Sequence, residues 1–285
     1  MLDMYILVTG INGFTGQYVK ASLEKSGHKL IALTSNLTDA SAVKKEVSSL
    51  QIDAVIHLAA IAFVGHGDVN ELYNVNLLGT LNLLQALSQI SKPVQHVLLA
   101  SSANIYGNSS KGMLDETTPA NPANDYAVSK YAMELMAQLW SSRLPISLLR
   151  PFNYTGVGQD SVFLIPKIVD HFKARKPVIE LGNLDVWREF NDVRFVAESY
   201  TKLITQIPEK LGQAINICTG KAYSLREVIA LCEQITSHKI EIHVNPQFVR
   251  DNEVKVLKGD NSLLKKMTGN TSQYDLERTL RWMLE

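Results

Sequence analysis

The chain has 285 residues, of which 46% are hydrophobic and 20% are charged, as in ordinary globular proteins. Lys plus Arg and Asp plus Glu each number 28, so the net charge is zero and the basic excess typical of nucleic-acid-binding proteins is absent. No stretch reaches the roughly 18 apolar residues of a membrane span, and the first apolar run, Met4–Val8, lacks the flanks of a signal peptide. We therefore expect a cytoplasmic protein that binds neither nucleic acid nor membrane.

The amino-terminal half alternates short apolar runs with helical patterns. The predicted strands cover 5–8, 30–33, 54–58, 94–100 and 146–149, and the predicted helices cover 15–26, 39–50, 68–89 and 124–143. Continuous apolar strands that alternate with helices indicate a parallel sheet covered on both faces. Because crossovers between such strands are right-handed, the sequence predicts an α/β fold with a doubly wound, Rossmann-type sheet over residues 1–150.

After residue 150 the elements become shorter, and prolines and glycines become more frequent. The predicted elements cover 165–175, 178–181, 193–206, 215–219, 225–235 and 240–243. We expect residues 151–285 to form mainly a smaller mixed α/β substrate-binding domain, with some elements returning to the main sheet.

A glycine-rich turn connects the first predicted strand to the first predicted helix. Gly10, Gly13 and Gly16 have the spacing GxxGxxG. Such glycines permit a tight turn, let backbone N–H groups approach a pyrophosphate, and allow close packing of helix on strand. The position of the turn predicts a dinucleotide-binding loop.

The end of the second predicted strand normally distinguishes the two nicotinamide cofactors. An acidic residue there binds the ribose 2′-hydroxyl, whereas a basic residue suits a 2′-phosphate. Residues 34–36 are Thr, Ser and Asn and contain neither. The absence of an acid favours NADP(H), with NAD(H) as the alternative.

Tyr126 and Lys130 are spaced i, i+4 in a predicted helix, so both side chains lie on one face. A lysine ammonium beside a phenol favours the phenolate, so we expect the pKa of Tyr126 to fall towards the working range. Such a tyrosine is a general acid/base for interconverting a hydroxyl and a carbonyl. Ser102 follows the strand predicted over 94–100, at the sheet edge where ligands bind, and could hydrogen-bond the reacting oxygen.

Together these segments resemble the extended short-chain dehydrogenase/reductases, the nucleotide-sugar epimerase/dehydratase group. The resemblance runs from Met4 to about Gly269 and is carried by TGINGFTG at 9–16, HLAA at 57–60, NVNLLGT at 74–80, SSANIYG at 101–107 and YAVSK at 126–130. It implies a nicotinamide-dependent enzyme acting on a nucleotide sugar, and a homodimer formed through the helices predicted over 68–89 and 124–143.

The resemblance also assigns roles to individual residues. Ser102, Tyr126 and Lys130 match the catalytic Ser/Thr, the acid/base and the ribose-binding lysine of the group. Asn36 falls where the group contacts adenine, although Asp is more frequent there. The residues implied to bind the cofactor are Gly10, Asn12, Gly13, Phe14, Thr15, Gly16, Asn36, Leu37, Leu58, Ala59, Ala60, Asn76, Ser101, Tyr126, Lys130 and Phe152.

The residues after Ser102 bear on the reaction. Dehydratases of the group carry an acidic pair next to the catalytic Ser/Thr, and the corresponding residues here are Ala103 and Asn104. Neither can shuttle the proton that elimination of water requires. Ketone reduction and epimerisation therefore remain.

Three segments of the second half narrow the choice of nucleotide-sugar substrate. Residues 150–159 resemble the RPFNHTGPGQ signature of 4-keto-6-deoxyhexose reductases, with departures at Tyr154 and Val157 that put the local turn in doubt. Residues 182–189 and 250–262 are similar to segments of GDP-sugar dehydratases and reductases, with Glu189 in place of Asp. The residues implied to bind substrate are Ser102, Asn104, Asn153, Arg188, Arg250 and Glu253, the arginines because a guanidinium matches diphosphate oxygens.

The implied reaction is reduction of GDP-4-keto-6-deoxy-D-mannose to GDP-D-rhamnose, or its C4 epimer, by NAD(P)H, for surface polysaccharide. The nearer alternative is a dTDP-4-keto-6-deoxyglucose reductase or another nucleotide-sugar epimerase, and the remote one is a non-catalytic dinucleotide sensor. Cys218, Cys232 and the seven histidines show neither CxxC nor HExxH spacing, so we expect no metal site.

Overall fold

The computed structural model describes residues 3–63, 67–107, 112–206, 210–248, 255–269 and 271–285. In these ranges the strands are β1 (Tyr5–Thr9), β2 (Lys29–Ala32), β3 (Ala54–His57), β4 (His96–Ala100), β5 (Ile146–Pro151), β6 (Tyr154–Thr155), β7 (Val178–Leu181), β8 (Trp187–Glu189), β9 (Asn191–Asp192), β10 (Gln213–Ile217), β11 (Ala222–Ser224), β12 (Glu241–Val244) and β13 (Val256–Leu257). The α-helices are α1 (Phe14–Lys25), α2 (Ala40–Ser49), α3 (Val69–Tyr73), α4 (Thr80–Leu87), α5 (Asp125–Trp140), α6 (Leu164–Lys173), α7 (Val193–Ile204), α8 (Leu225–Thr236), α9 (Ser262–Thr268) and α10 (Leu276–Leu284). No helix of these residues combines the length and apolar character needed to cross a membrane.

Six strands form one sheet in the order β10-β5-β4-β3-β1-β2, and every neighbouring pair is parallel. The central strands are apolar along their length because both faces of the sheet are covered, and all four residues of β3 are buried. The order runs outward from β1 in two directions, which is the doubly wound arrangement. The fold class that the sequence predicts is therefore confirmed.

Two apolar cores, one on each face, hold helices against this sheet. Helices α2, α4 and α5 contribute to the first core, for example through Val43, Leu83 and Met133. Helices α1, α7 and α9 contribute to the second, through residues such as Leu23 and Phe195. Complete burial of each large apolar side chain stabilises the fold by about 1.5–3 kcal/mol, so the two cores hold the helices on both faces of the sheet.

The long helix predicted over 68–89 is helical without a break from Val69 to Leu87, but its middle is not α-helical. A π-helical turn, Asn74–Gly79, separates α3 from α4. In this turn the side-chain amide of Asn76 pairs with the main chain of Ile61. Its oxygen accepts from the Ile61 N–H at 2.9 Å, and its nitrogen donates to the Ile61 carbonyl at 3.1 Å. Such insertions in helices frequently accompany functional sites.

The second half of the chain contributes elements to the main sheet and also forms a separate apolar core. Strand β10 pairs with β5 in the main sheet, and α7 covers that sheet. Helices α6, α8 and α10 pack with the parallel pair β7 and β12 around a separate apolar core. A further small sheet joins β8 to β11 and β13.

Candidate active site

A cleft of about 300 Å³ lies at the carboxyl edge of the main sheet, where parallel α/β sheets bind their ligands. It is bordered by the chain that follows β1, β3, β4 and β5 and by the face of α5. The structure brings together many of the residues that the sequence singles out. Those that line the cleft are Gly10, Gly13, Phe14, Thr15, Gly16, Leu58, Ala60, Ser101, Ser102, Asn104, Tyr126, Lys130, Phe152 and Asn153.

The glycine-rich turn has the conformation that the spacing predicts. Gly10 has a φ of +69°, and a Cβ atom there would lie 2.8 Å from the nitrogen of Ala59. A Cβ atom on Gly16 would collide with the carbonyl of Gly10, whereas the nearest atom to one on Gly13 lies 3.3 Å away. Gly13 is the N-cap of α1 and has no side chain to cap the helix, so the first N–H groups of α1 can meet an anion. This cradle fits the pyrophosphate of a dinucleotide.

Ser102, Tyr126 and Lys130 meet at the end of β4. The Ser102 hydroxyl accepts hydrogen bonds from the backbone N–H and the side-chain amide of Asn104, at 3.1 and 3.2 Å. Because both acceptor positions are used, the hydroxyl proton remains for donation towards Tyr126 or a ligand. Lys130 reaches across from α5 and donates to the Ala100 carbonyl at 2.8 Å.

Burial dominates the electrostatics of this group. It raises the pKa of Tyr126 to about 12, with the hydrogen bond from Ser102 opposing the shift and Tyr154 adding to it. It lowers the pKa of Lys130 to about 8, which the carboxylate of Glu134 partly opposes. The expectation that Lys130 would lower the pKa of Tyr126 is wrong in this structure, because desolvation of the phenol outweighs its polar neighbours.

Ser101 gives an independent indication of a ligand. Its hydroxyl is buried at the wall of the cleft and has no hydrogen-bond partner among the described residues. Buried polar atoms in proteins are nearly always paired. An open glycine cradle and an unpaired hydroxyl on the same cleft fit a dinucleotide extending from the Gly10 turn to Tyr126.

Several predicted residues lie behind the cleft wall. Asn76 orients the main chain of Ile61, and Ala59 donates its N–H to the Thr9 hydroxyl at 3.1 Å, so both position the segment that carries Leu58 and Ala60. Asn36 is exposed and accepts hydrogen bonds from the N–H and hydroxyl of Thr38. The remaining residues outside the cleft lining are Asn12, Leu37 and Arg188.

Of the residues implied to bind the nucleotide part of the substrate, the structure describes Arg188. Arg188 lies on β8, and its guanidinium donates to the carbonyl of Trp187 at 2.9 Å. Arg250 and Glu253 lie outside the described residues. Glu189 is buried and accepts from the N–H groups of Thr219 and Gly259, at 2.9 and 2.7 Å, so this departure from the resemblance ties β8 to two neighbouring segments.

Other residues line the cleft although the sequence analysis does not predict them as site residues. Tyr154 lines the cleft, and its hydroxyl lies 2.7 Å from that of Thr15. Tyr200 reaches the cleft from α7, where it reads as one more apolar residue on the buried face of a helix. Gln159 and Phe163 also line the cleft. Within the described ranges no cluster of His, Cys, Asp and Glu could hold a metal ion.

Known proteins resemble this chain over nearly all of its length. The sequence matches the NAD dependent epimerase/dehydratase family over residues 6–218. The GDP-6-deoxy-D-talose 4-dehydrogenase of Aggregatibacter actinomycetemcomitans is 35% identical, in an alignment that covers 97% of this chain and 95% of that protein. The GDP-6-deoxy-D-mannose reductase of Pseudomonas aeruginosa is 31% identical, with coverage of 98% and 95%. The solved structure of RMD from Pseudomonas aeruginosa complexed with NADPH has a TM-score of 0.88 and 30% identity, and the match covers 99% of this chain and 98% of that one.

Proposed function

Because the chain belongs to the NAD dependent epimerase/dehydratase family and is an NAD(P)-dependent enzyme, we propose that it is a nucleotide-sugar 4-ketoreductase. Its substrate is GDP-4-keto-6-deoxy-D-mannose and its product is GDP-D-rhamnose or the C4 epimer of that sugar. The observation that carries the proposal is the meeting of Ser102, Tyr126 and Lys130 in the cleft that begins at the glycine turn.

Tyr126 supplies the proton in this reaction. A bound reduced nicotinamide provides the hydride for C4 of the sugar. With its pKa raised to about 12 by burial, Tyr126 holds its proton throughout the neutral range and donates it to the C4 oxygen as negative charge develops there. Ser102 donates a second hydrogen bond to the same oxygen, because Asn104 occupies its acceptor positions.

Lys130 acts beside the acid. Its ammonium is held at the carbonyl of Ala100 and lines the same cleft as Ser102 and Tyr126. There it would hold the ribose hydroxyls of a bound cofactor and would add positive charge near the developing oxyanion. Since burial lowers its pKa to about 8, its charge is sensitive to pH in the alkaline range.

The residues after Ser102 oppose dehydration. Ala103 is buried and apolar, and the side-chain amide of Asn104 is engaged with the Ser102 hydroxyl. Elimination of water needs a group that removes a carbon-bound proton and a group that protonates the leaving hydroxyl. Neither residue is such a group, so reduction and epimerisation remain, and the two relatives named for GDP-linked 6-deoxyhexoses favour reduction.

The relatives support both a guanine nucleotide in the substrate and a reaction at C4 of its sugar. Two of them are named for GDP-linked 6-deoxyhexoses, one as a 4-dehydrogenase of the 6-deoxy-D-talose sugar and one as a 6-deoxy-D-mannose reductase. These two sugars differ in configuration at C4, so reduction of one ketone from opposite faces gives either. The 4-dehydrogenase favours the C4 epimer as the second candidate product.

We also propose that the enzyme is a homodimer. Val128, Leu135 and Leu139 are spaced i, i+7 and i+11 on α5 and form one apolar stripe, with exposed fractions of 38%, 48% and 80%. Leu78, in the π-helical turn packed against α5, is 47% exposed. A second copy of the same helices would cover these side chains symmetrically.

Oxidation of NADPH and of NADH should be followed with GDP-4-keto-6-deoxy-D-mannose and, in parallel, with dTDP-4-keto-6-deoxyglucose. Rapid oxidation with only the GDP-linked ketone supports the proposal, and NMR of the product then gives the C4 configuration. Oxidation with only the dTDP-linked ketone would overturn the choice of base. No oxidation with either ketone, despite cofactor binding, would indicate an epimerase or a different sugar.

A further inference from the structure

A carboxylate from helix α2 fills a four-donor site at the end of β2. One oxygen of Glu46, Oε1, accepts from the backbone N–H and the hydroxyl of Thr34, at 2.9 and 2.8 Å. The other oxygen, Oε2, accepts from the backbone N–H of Ser35 at 2.7 Å and from the Ser35 hydroxyl. Each carboxylate oxygen of Glu46 therefore accepts two hydrogen bonds.

This site lies beside the glycine turn. Strands β1 and β2 are parallel neighbours with Val8 paired to Ala32, and the N–H of Leu33 still donates to the Val8 carbonyl. Thr34 and Ser35 therefore leave the sheet next to Gly10, at the same carboxyl edge. A dinucleotide whose pyrophosphate lies on the Gly10 turn places its adenosine ribose at the end of this second strand.

The four donors are of the kind that binds a phosphate. Two consecutive backbone N–H groups and two hydroxyls form a concave anion site, and charge-assisted hydrogen bonds to such donors are strong. Glu46 occupies the site as an internal anion. Burial of Glu46 acts to raise its pKa, but the hydrogen bonds from Ser35 and Thr34 outweigh it and hold the pKa at about 2, so the carboxylate is charged under all working conditions.

The segment that follows β2 supplies no basic side chain. Residues 34–38 contain no lysine or arginine. The amide oxygen of Asn36 is itself engaged by the N–H and hydroxyl of Thr38. A 2′-phosphate arriving here would meet a carboxylate in the place of the basic residue that usually receives it.

We propose that Glu46 is a specificity-determining residue that occupies the 2′-phosphate position and makes the enzyme prefer NAD(H) to NADP(H). The inference rests on the proposed function only in requiring that a nicotinamide dinucleotide binds along the cleft. It reverses the preference that residues 34–36 suggest by themselves, because the acidic group reaches the site from a residue ten positions beyond Asn36, on helix α2.

The test is direct binding without any sugar substrate. Dissociation constants of NAD⁺ and NADP⁺ should be measured by titration calorimetry for the wild-type protein, Glu46→Ala, Glu46→Gln and the control Glu24→Gln, whose carboxylate is exposed on α1. We expect the wild-type protein to bind NAD⁺ at least about tenfold more tightly than NADP⁺. Glu46→Ala frees the N–H groups and hydroxyls of Thr34 and Ser35 to bind a 2′-phosphate. NADP⁺ should then bind more tightly and the affinity ratio should shrink about tenfold, while the affinity for NAD⁺ should change by less than about threefold.

Equal wild-type affinities, or the same affinity ratio in wild type and Glu46→Ala, would overturn the inference. Should Glu46→Ala unfold, as judged by circular dichroism, the wild-type ratio and Glu46→Gln decide instead. Glu46→Gln removes the charge and should shrink the ratio in the same direction, and an unchanged ratio would again overturn the inference. Failure to reduce either ketone would overturn only the proposed reaction, since these titrations contain no ketone.

Discussion

The hydroxyl oxygens of Tyr154 and Thr15 lie 2.7 Å apart and join the second half of the chain to the glycine turn. The Tyr154 ring also stacks parallel to that of Phe14, with centroids 6.1 Å apart. Three residues on, the carbonyl of Val157 accepts a hydrogen bond of 2.6 Å from the Tyr18 hydroxyl. Tyr154 and Val157 are the two departures from the reductase signature, and both contact α1. The segment that departs from the resemblance is therefore the one that fixes the cofactor loop against β6.

Tyr154→Phe removes this hydroxyl and keeps the ring. We expect the free energy of unfolding to fall by about 1 kcal/mol, because the partly buried Thr15 hydroxyl loses its partner. Urea denaturation followed by fluorescence measures the change. Tyr73→Phe is the control, since its 3.2 Å hydrogen bond to Asp125 is exposed and its loss should cost less. Equal losses in the two variants would contradict a special role for Tyr154.

Tyr126→Phe should lower kcat about a thousandfold, within the range that a general acid supplies. The ring continues to fill its buried site, so the dissociation constant for the cofactor should stay within about twofold of wild type. Steady-state kinetics and titration calorimetry measure the two quantities. Tyr131→Phe, on the same helix, should keep wild-type turnover. An active Tyr126→Phe enzyme would assign the proton to another group.

The decrease of kcat/KM at alkaline pH should report the deprotonation of Lys130. Burial lowers its pKa to about 8, so the side chain is charged below that pH and neutral above it. We expect kcat/KM for ketone reduction to fall above about pH 8, while Tyr126, with a pKa of about 12, remains protonated. Lys130→Arg keeps its charge and should show no such decrease. A wild-type profile that is flat to pH 10 would rule out a role for the ammonium.

Of the three buried histidines, His57 and His96 have the largest pKa shifts and should make stability depend on pH in mild acid. Burial lowers the pKa of His57 to about 3 and that of His96 to about 4, both from 6.5. Between these values and 6.5 the unfolded chain binds protons that the folded chain does not, so stability is highest above 6.5 and falls as the pH drops. Each histidine should contribute up to about 1.4 kcal/mol per pH unit. Urea unfolding from pH 7 to 5 measures the slope.

His57→Gln should reduce that slope by the share of one histidine. His57 bridges the hydroxyls of Thr9 and Thr80, at 2.7 and 2.9 Å, so the variant also loses some stability at pH 7. The slope, not the absolute value, carries the prediction. His243→Gln changes an exposed histidine and should leave the slope as it is in the wild type. Equal slopes in the wild type and His57→Gln between pH 6.5 and 5 would show that the buried His57 ring does not stay neutral.

A charge on the apolar stripe of α5 should separate the proposed dimer. Leu139→Glu places a carboxylate at a position that is 80% exposed in one chain and would be buried between two. Light scattering at micromolar concentration should give the mass of two chains for the wild-type protein and of one for Leu139→Glu. Val244→Glu, at a 54% exposed position on β12, should leave the mass unchanged. A monomeric wild-type protein would contradict the proposal.

The sequence alone determined the features that depend on neighbours a few positions apart. The positions of the main-sheet strands and most flanking helices follow from runs of apolar residues, since burial on both faces requires them. Gly10 and Gly16 are required because a Cβ atom would meet the adjoining main chain. Tyr126 and Lys130 share a face because four residues make about one helical turn.

Only the tertiary structure decided the relations between residues distant along the chain. Tyr154 meets Thr15 across 139 positions, and Tyr200 reaches the cleft from the buried side of α7. Residues 34–36 contain neither an acidic nor a basic residue, but the carboxylate of Glu46, ten positions further along the chain, fills the site at Thr34 and Ser35. The pKa of Tyr126 followed its burial rather than its nearest charged neighbour. Periodicity and steric limits act within a few residues, whereas desolvation and hydrogen bonding act between whatever side chains the packed cores bring together.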